Sequence, residues 1–199
     1  MSPRGRRPAG EDTRGAILET AREQFAEHGY DRTSLRGIAR GAEVDPRLVH
    51  HYFEGGKAEL FAEVMHAPVN PAAFIADVVA GPPEDIGRQL VRTFLGVWDD
   101  PDNQSALLAL ARSGLTNEGI TDQLRGFVEQ GLLGQIMQAH PVTAGLPLRE
   151  RRRRAGVIGV QMLGLIISRY VVELPGVADA PAATLVDRIG PIIQAQLES

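Results

Sequence analysis

Apolar residues recur at helical spacing along most of the chain, and glycine and proline break the pattern at intervals. Ile17, Leu18, Ala21 and Phe25 share one face, while Glu19, Arg22, Glu23 and Glu27 fall elsewhere, which predicts a helix from Thr13 to His28. Asp12 or Thr13 caps its start and Gly29 stops it. Thr33 or Ser34 caps a second helix that turns Leu35, Ile38 and Ala39 inward. Gly41-Ala42-Glu43-Val44 makes a turn. Asp45 caps a third, short helix whose first position is Pro46, where the missing N–H costs nothing. That helix ends near Phe53, and Gly55-Gly56 follows. A fourth helix, Lys57 to about His66, turns Leu60, Phe61 and Val64 inward. Two short helices joined by a tight turn form the unit that lays one helix in the major groove of DNA.

Beyond the fourth helix, Pro68, Pro71 and Gly81-Pro82-Pro83 interrupt the chain. Pro71 to Ala80 reads as a short helix or as an extension of the linker. Glu84 to Trp98 is amphipathic through Ile86, Leu90, Phe94 and Val97. Ser105 to Leu115 and Thr121 to His140 follow, then a proline-marked loop from Pro141 to Pro147. Arg149 to Glu173 is apolar almost all round from Ala155 to Val172, and Pro181 to Leu197 closes the pattern. A helix apolar on more than one stripe must bury two faces. Gly156, Gly159 and Gly164 permit close approach, so the last two helices are the expected dimer interface; the alternative is a purely intramolecular core.

Composition narrows the classes. The chain has no cysteine, which removes disulfides and thiolate metal sites. Its basic start lacks the apolar segment of a signal peptide. The longest apolar run, Ala155–Leu174, is interrupted by Gln161, Ser168, Arg169 and Glu173, so no membrane helix is expected and the cytoplasm is the expected location. Net charge is −4, and Asp31 to Lys57 carries five bases against four acids. DNA binding therefore depends on where the charges stand, since their sum is close to neutral. No Ser/His/Asp order, supported carboxylate pair, glycine-rich phosphate loop or metal-ligand cluster is present in the pattern, so the chain is not expected to be an enzyme.

The spacing Ile17-Leu18-x-x-Ala21-x-x-x-Phe25-x-x-x-Gly29-Tyr30-x-x-Thr33-Ser34-Leu35-x-x-Ile38-Ala39-x-x-Ala42-x-Val44, then Val49-His50-His51-Tyr52-Phe53 and Lys57-x-x-Leu60, resembles the TetR-type bacterial transcriptional regulators. The resemblance implies an all-α protein: a three-helix DNA-binding head with a helix-turn-helix, then a larger helical body that binds an effector and dimerises. Expected boundaries are a flexible basic arm over 1–11, the DNA-binding domain over 12–56, a linking helix region over 57–80 and the effector-binding and dimerisation domain over 81–199. The implied function is a homodimeric repressor that binds a palindromic DNA operator through its third helix and is released by a small-molecule effector. The alternative is a small-molecule-binding helical protein without a DNA function. Three departures stand out: Glu43 replaces the usual turn glycine, His50 replaces a tyrosine that touches phosphate, and Phe53 to Lys57 is one residue longer than the common form.

Physical roles follow residue by residue. Arg47 near the start of the third helix suits the O6/N7 pair of guanine. Pro46 and Leu48 offer apolar contact to a thymine methyl, and His50, His51 and Tyr52 donate to phosphate or base acceptors. Thr33, Ser34 and Arg36 begin the second helix, where dipole and hydroxyl favour a phosphate. Lys57 is expected against phosphate, and Arg4, Arg6 and Arg7 along the adjacent groove. The plain alternative is that Arg36, Arg40 and Arg47 are solvated. His50 and His51 diverge by about 100° on a helix and do not form a metal pair. No metal or cofactor is expected.

Candidate effector-lining residues are Phe94, Trp98, Phe127, Met137, Gln161, Met162 and Ile166, with Gln161, Arg169 and His140 as polar anchors. The run Arg149 to Arg154 is either a second nucleic-acid patch or a solvated helix start. Positive charge there opposes the helix dipole, which calls for acids nearby or an earlier helix start.

Overall fold

The protein's structure, a computed structural model, describes residues 13–198, and every regular element among them is helical. The head consists of α1 (Thr13–Arg32), α2 (Leu35–Gly41), α3 (Pro46–Tyr52) and α4 (Gly56–Val64). Gly29, at φ 75° and ψ 172°, breaks the regular course of α1 and sends Tyr30 inward. Ser34 caps α2 by accepting from the Gly37 N–H, and Asp45 caps α3 by accepting from the Arg47 N–H. Glu43 takes φ 56° in the turn between them, a left-handed geometry that costs a non-glycine residue about 1 kcal/mol. Ile17, Phe25, Ile38, Val49, Phe53, Leu60 and Phe61 are fully buried and form the head's core.

The body continues with α5 (Pro71–Val79), a 3-10 turn (Pro83–Asp85), α6 (Ile86–Trp98), α7 (Pro101–Thr116) and α8 (Glu118–Gly126). A π-helical segment, Phe127–Leu133, joins α8 to α9 (Gly134–Ala139); α10 (Pro141–Ala144) and α11 (Leu148–Ile166) follow. A second π segment, Ile167–Val171, extends α11, and α12 (Ala182–Glu198) ends the described chain. Three expected boundaries move, each because of a cap. Asp100 starts α7 at Pro101 instead of Ser105, Asn117 starts α8 ahead of Thr121, and His140 Nδ1 accepts from the Val142 N–H to make one helical turn in the expected Pro141–Pro147 loop.

Leu90, Val91, Leu95, Ile136, Met137, Ile158 and Ile193 are the centre of the body's core. α6 and α12 cross on two glycines. A methyl on Gly87 would stand 2.4 Å from the Gly190 carbonyl oxygen, and one on Gly190 would stand 2.8 Å from Arg88 Cα. Within the arginine run, Glu150 accepts from Arg153 (2.9 Å) and Arg154 (3.0 Å), while Arg151 donates to Gln138. Hydrogen bonds from Arg153 and Arg154 hold the Glu150 carboxyl down at about 2. On α11, by contrast, apolar residues face outward: Val160 is 67% exposed and Leu163 52%. The continuous helix Leu148–Val171 is, contrary to expectation, long and apolar enough to cross a membrane by length and composition alone.

Candidate nucleic-acid interface and the head–body contact

α3 is held to the head by one buried side chain, Val49. Its other six residues, Pro46, Arg47, Leu48, His50, His51 and Tyr52, are all exposed. A seven-residue helix with one anchor and an outward leucine and tyrosine offers its surface to something outside the head. The His51 and Tyr52 rings lie 5.3 Å apart. Arg36 and Arg40 on α2 are exposed too, and among the described residues neither they nor Arg47 form an ion pair. Ser34 is exposed at the N-terminus of α2 with its hydroxyl already accepting from Gly37. Pro46, Arg47, Leu48, His50, His51, Tyr52, Ser34 and Arg36 thus all reach the surface of the helix-turn-helix unit.

Two residues expected with them are placed elsewhere. Thr33 is buried, and its hydroxyl donates to the carbonyls of Gln24 (3.0 Å) and Gly29 (2.8 Å). Lys57 turns inward: its ammonium donates to the carbonyls of Tyr30 (2.6 Å) and Thr33 (3.0 Å) and stands 4.2 Å from the Tyr30 ring centroid. The physical reason is the break at Gly29. Helix ends leave carbonyls without partners, and a cation at that end satisfies them and suits the dipole. Burial lowers the Lys57 pKa, with the Asp31 carboxylate acting in the opposite direction. Arg4, Arg6, Arg7 and Asp12 lie outside the described residues.

The expected effector lining does not gather around one space. Phe127 belongs to the head's aromatic cluster, 5.0 Å from Phe61 and 5.9 Å from Tyr30. Met137 and Met162 are packed into the body core. Phe94 stacks on Trp98, and Trp98 on Tyr170 at 5.3 Å, a partner the sequence pattern did not single out. Gln161 and Ile166 are half-buried. Arg169 is committed as a clamp. It donates to both oxygens of Asp99 (2.9 and 3.2 Å) and to the carbonyls of Val177, Ala178 and Ala180. The Asp99 carboxylate raises the Arg169 pKa further. His140 is buried as the cap of α10, and its Nε2 has no hydrogen-bond partner. A cleft of about 350 Å³ opens between the end of α1 and α8, lined by Glu27, Asp31, Arg32, Asp122, Arg125 and Glu129 among others. No periodicity in the sequence announces it, because its walls come from segments some 90 residues apart.

Comparison with known proteins agrees with this layout. The model of the tetR family of bacterial regulatory proteins matches residues 17–64, and that of the tetracyclin repressor-like C-terminal domain matches 84–197. The probable acrEF/envCD operon repressor of Escherichia coli is 29% identical over 137 residues, covering 64% of this chain and 61% of that protein. The HTH-type transcriptional repressor AcnR of Corynebacterium glutamicum is 32% identical over 91 residues, 46% of this chain and 43% of the relative. The chain therefore spans less than two thirds of the length of either. A solved TetR-family regulator from Streptomyces coelicolor is 32% identical, with 98% of this chain and 99% of that one aligned at a TM-score of 0.45. With both family models matched in order, one on the helix-turn-helix head and one on most of the helical body, the chain belongs to the TetR family of bacterial regulatory proteins.

Proposed function

We propose that this protein is a homodimeric transcriptional repressor that reads a palindromic operator with α3 and is released by a small-molecule effector bound in the body. The observation that carries the reading is α3 itself, with Arg47, Leu48, His51 and Tyr52 exposed around the single anchor Val49. Arg47 is assigned to a guanine, Leu48 and Pro46 to a thymine methyl, and His50, His51 and Tyr52 to phosphates or base acceptors. Ser34 and Arg36 are assigned to a backbone phosphate at the α2 N-terminus. Thr33 and Lys57 are assigned to the fold, because their polar groups are spent on carbonyls of the head. Repression, rather than activation, is favoured by the named roles of the similar proteins from Escherichia coli and Corynebacterium glutamicum.

The dimer reading is supported by the outward apolar residues of α11 and α12, Val157, Val160, Leu163 and Ile192. Exposed apolar patches of this kind mark association surfaces. Effector binding remains assigned to the body, around Phe94, Trp98, Gln161 and Ile166, with Phe127, Met137 and Met162 committed to packing. Selection of duplexes from a random library, followed by footprinting, tests the whole reading. The expected product is a palindrome whose half-sites lie about 34–36 Å apart or a multiple of that. A library that shows no enrichment refutes the DNA-binding role and leaves a ligand-binding helical protein.

A further inference from the structure

The segment that joins body to head departs from α-helix between two stretches that keep it. Phe127–Leu133 is π-helical, with α8 before it and α9 after it. Such segments are rare, and inside α-helices they are found frequently at functional sites. Its two ends serve different cores. Phe127 stacks on Phe61 and meets Tyr30 edge-on, inside the head's cluster. Leu133 is buried in the body's core with Ile136 and Ile158.

Tyr30 is the residue gripped. A methyl on Gly131 would stand 2.7 Å from the Tyr30 hydroxyl oxygen. One on Gly126 would stand 2.6 Å from Asp31 Oδ1 and 3.0 Å from Tyr30 Cβ. Only glycine allows the helix to come this close at both points. On its other side, Tyr30 carries the Lys57 ammonium over its ring, and that ammonium also ties the carbonyls of Tyr30 and Thr33. Thr33 leads directly into Ser34, the cap of α2. A displacement of Tyr30 is therefore passed, within four residues, to the helix start assigned to a phosphate.

A one-residue change of register turns a helix by about 100° and moves it about 1.5 Å along its axis. Phe127 and Leu133 cannot both keep their places through such a change. Close-packed cores respond by switching between discrete arrangements. Building on the DNA-reading role assigned to α3, we propose that Phe127–Leu133 is the coupling element between body and head: its π register grips Tyr30 and fixes the start of α2, and its α register releases them.

Gly131→Ala tests the grip, because its methyl would meet the Tyr30 hydroxyl oxygen at 2.7 Å, with Phe127 Cδ2 at 3.0 Å and Tyr30 Cζ at 3.3 Å as the next neighbours. The probe is a duplex enriched by the wild-type protein from a random library. Gly131→Ala should weaken binding about tenfold, within the usual range of coupling between sites. It should also speed amide exchange over residues 29–37, with the dimer unchanged. Tyr30→Phe removes the closest of these contacts, so Tyr30→Phe/Gly131→Ala should recover most of the loss in both readouts. A role limited to helix stability predicts the reverse, since alanine favours a helix over glycine by about 1 kcal/mol. Wild-type affinity and exchange in Gly131→Ala overturn the proposal, and so does a loss that the double variant fails to recover. If Gly131→Ala does not fold, the double variant must still fold and bind; its failure also overturns the grip. Should the wild type enrich no sequence, the DNA-reading role fails, and the exchange measurement still decides whether Gly131 and Tyr30 are coupled.

Discussion

Head and body present opposite kinds of surface. In the head nearly every large apolar side chain is inside, and the exposed face of α2 and α3 carries arginines, histidines, a serine and only two larger apolar residues, Leu48 and Tyr52. In the body, Val157, Val160, Leu163, Val171 and Val172 stand outward on the α11 side although the core is already filled by Ile158, Met162 and Leu165 from the same helix. A polar, basic face suits a charged and hydrated partner whose contacts weaken with salt. An apolar face suits a partner that removes it from water, gaining about 25 cal/mol for each Å² covered. The proposed function divides one chain between these two kinds of recognition.

The largest effect expected is at the outward stripe. Val160→Asp places a charge where a second subunit would cover it, at a cost of several kcal/mol to association. The variant should remain folded, because Val160 is 67% exposed in the single chain. It should sediment as a monomer and lose palindrome binding, while a dimer that persists at low concentration would remove α11 from the interface. Ile166 and Ile189 are half-buried within the chain, so charges there test folding as much as dimerisation. Next in size is Gly190→Val at the α6–α12 crossing. A side chain there meets Arg88 backbone atoms, and overpacking of this kind costs about 3 kcal/mol. Its thermal transition should fall without altering exchange in the head; unchanged stability would mean the two helices can part freely.

The same contrast explains what the sequence could reveal. Head elements were legible because each is specified locally: Ser34 and Asp45 cap, Pro46 opens α3, Gly29 breaks α1, and the apolar spacing has one inward face. Lys57 was not legible, since its role depends on carbonyls left open 24 and 27 residues earlier by the break at Gly29. In the body the apolar residues outnumber those a single face can hold, so spacing cannot separate core from interface. Phe127 shows the limit. It looked like pocket lining among body residues, yet it completes the head's aromatic cluster. The π segments and the Arg169 clamp on residues 177–180 depend on tertiary contacts that no local pattern records.

Within the head the comparison sharpens between outward and inward cations. Arg47→Ala should cost about 1–3 kcal/mol of specific binding and relax selectivity at one base pair per half-site. Fold stability should be unaffected, because the Arg47 side chain is exposed and forms no ion pair among the described residues. Binding titrations against a library of single-base variants check this, and an unchanged preference would take Arg47 off the base edges.

Lys57→Ala should do the opposite. Its ammonium is held by two carbonyls of the head, so the loss should appear as about 1.5 kcal/mol of stability, the low end of the range for hydrogen bonds made by a charged group. The salt slope of DNA binding should stay the same, whereas removing a phosphate contact would reduce it by about 1. The pH dependence carries an independent sign. Burial sets the folded pKa of Lys57 below its ordinary 10.5, so the unfolded chain binds that proton more tightly than the folded one. Stability contributed by this group therefore rises with pH over the window just below 10.5, as the folded state gives up its proton first. The Tyr30 hydroxyl, raised by burial and by Asp31, acts with the opposite sign above pH 10 in both proteins. The difference between wild type and Lys57→Ala isolates the lysine. A difference in stability that grows with pH in that window places the ammonium inside the head. A flat difference, together with a reduced salt slope, would return Lys57 to the DNA-facing surface.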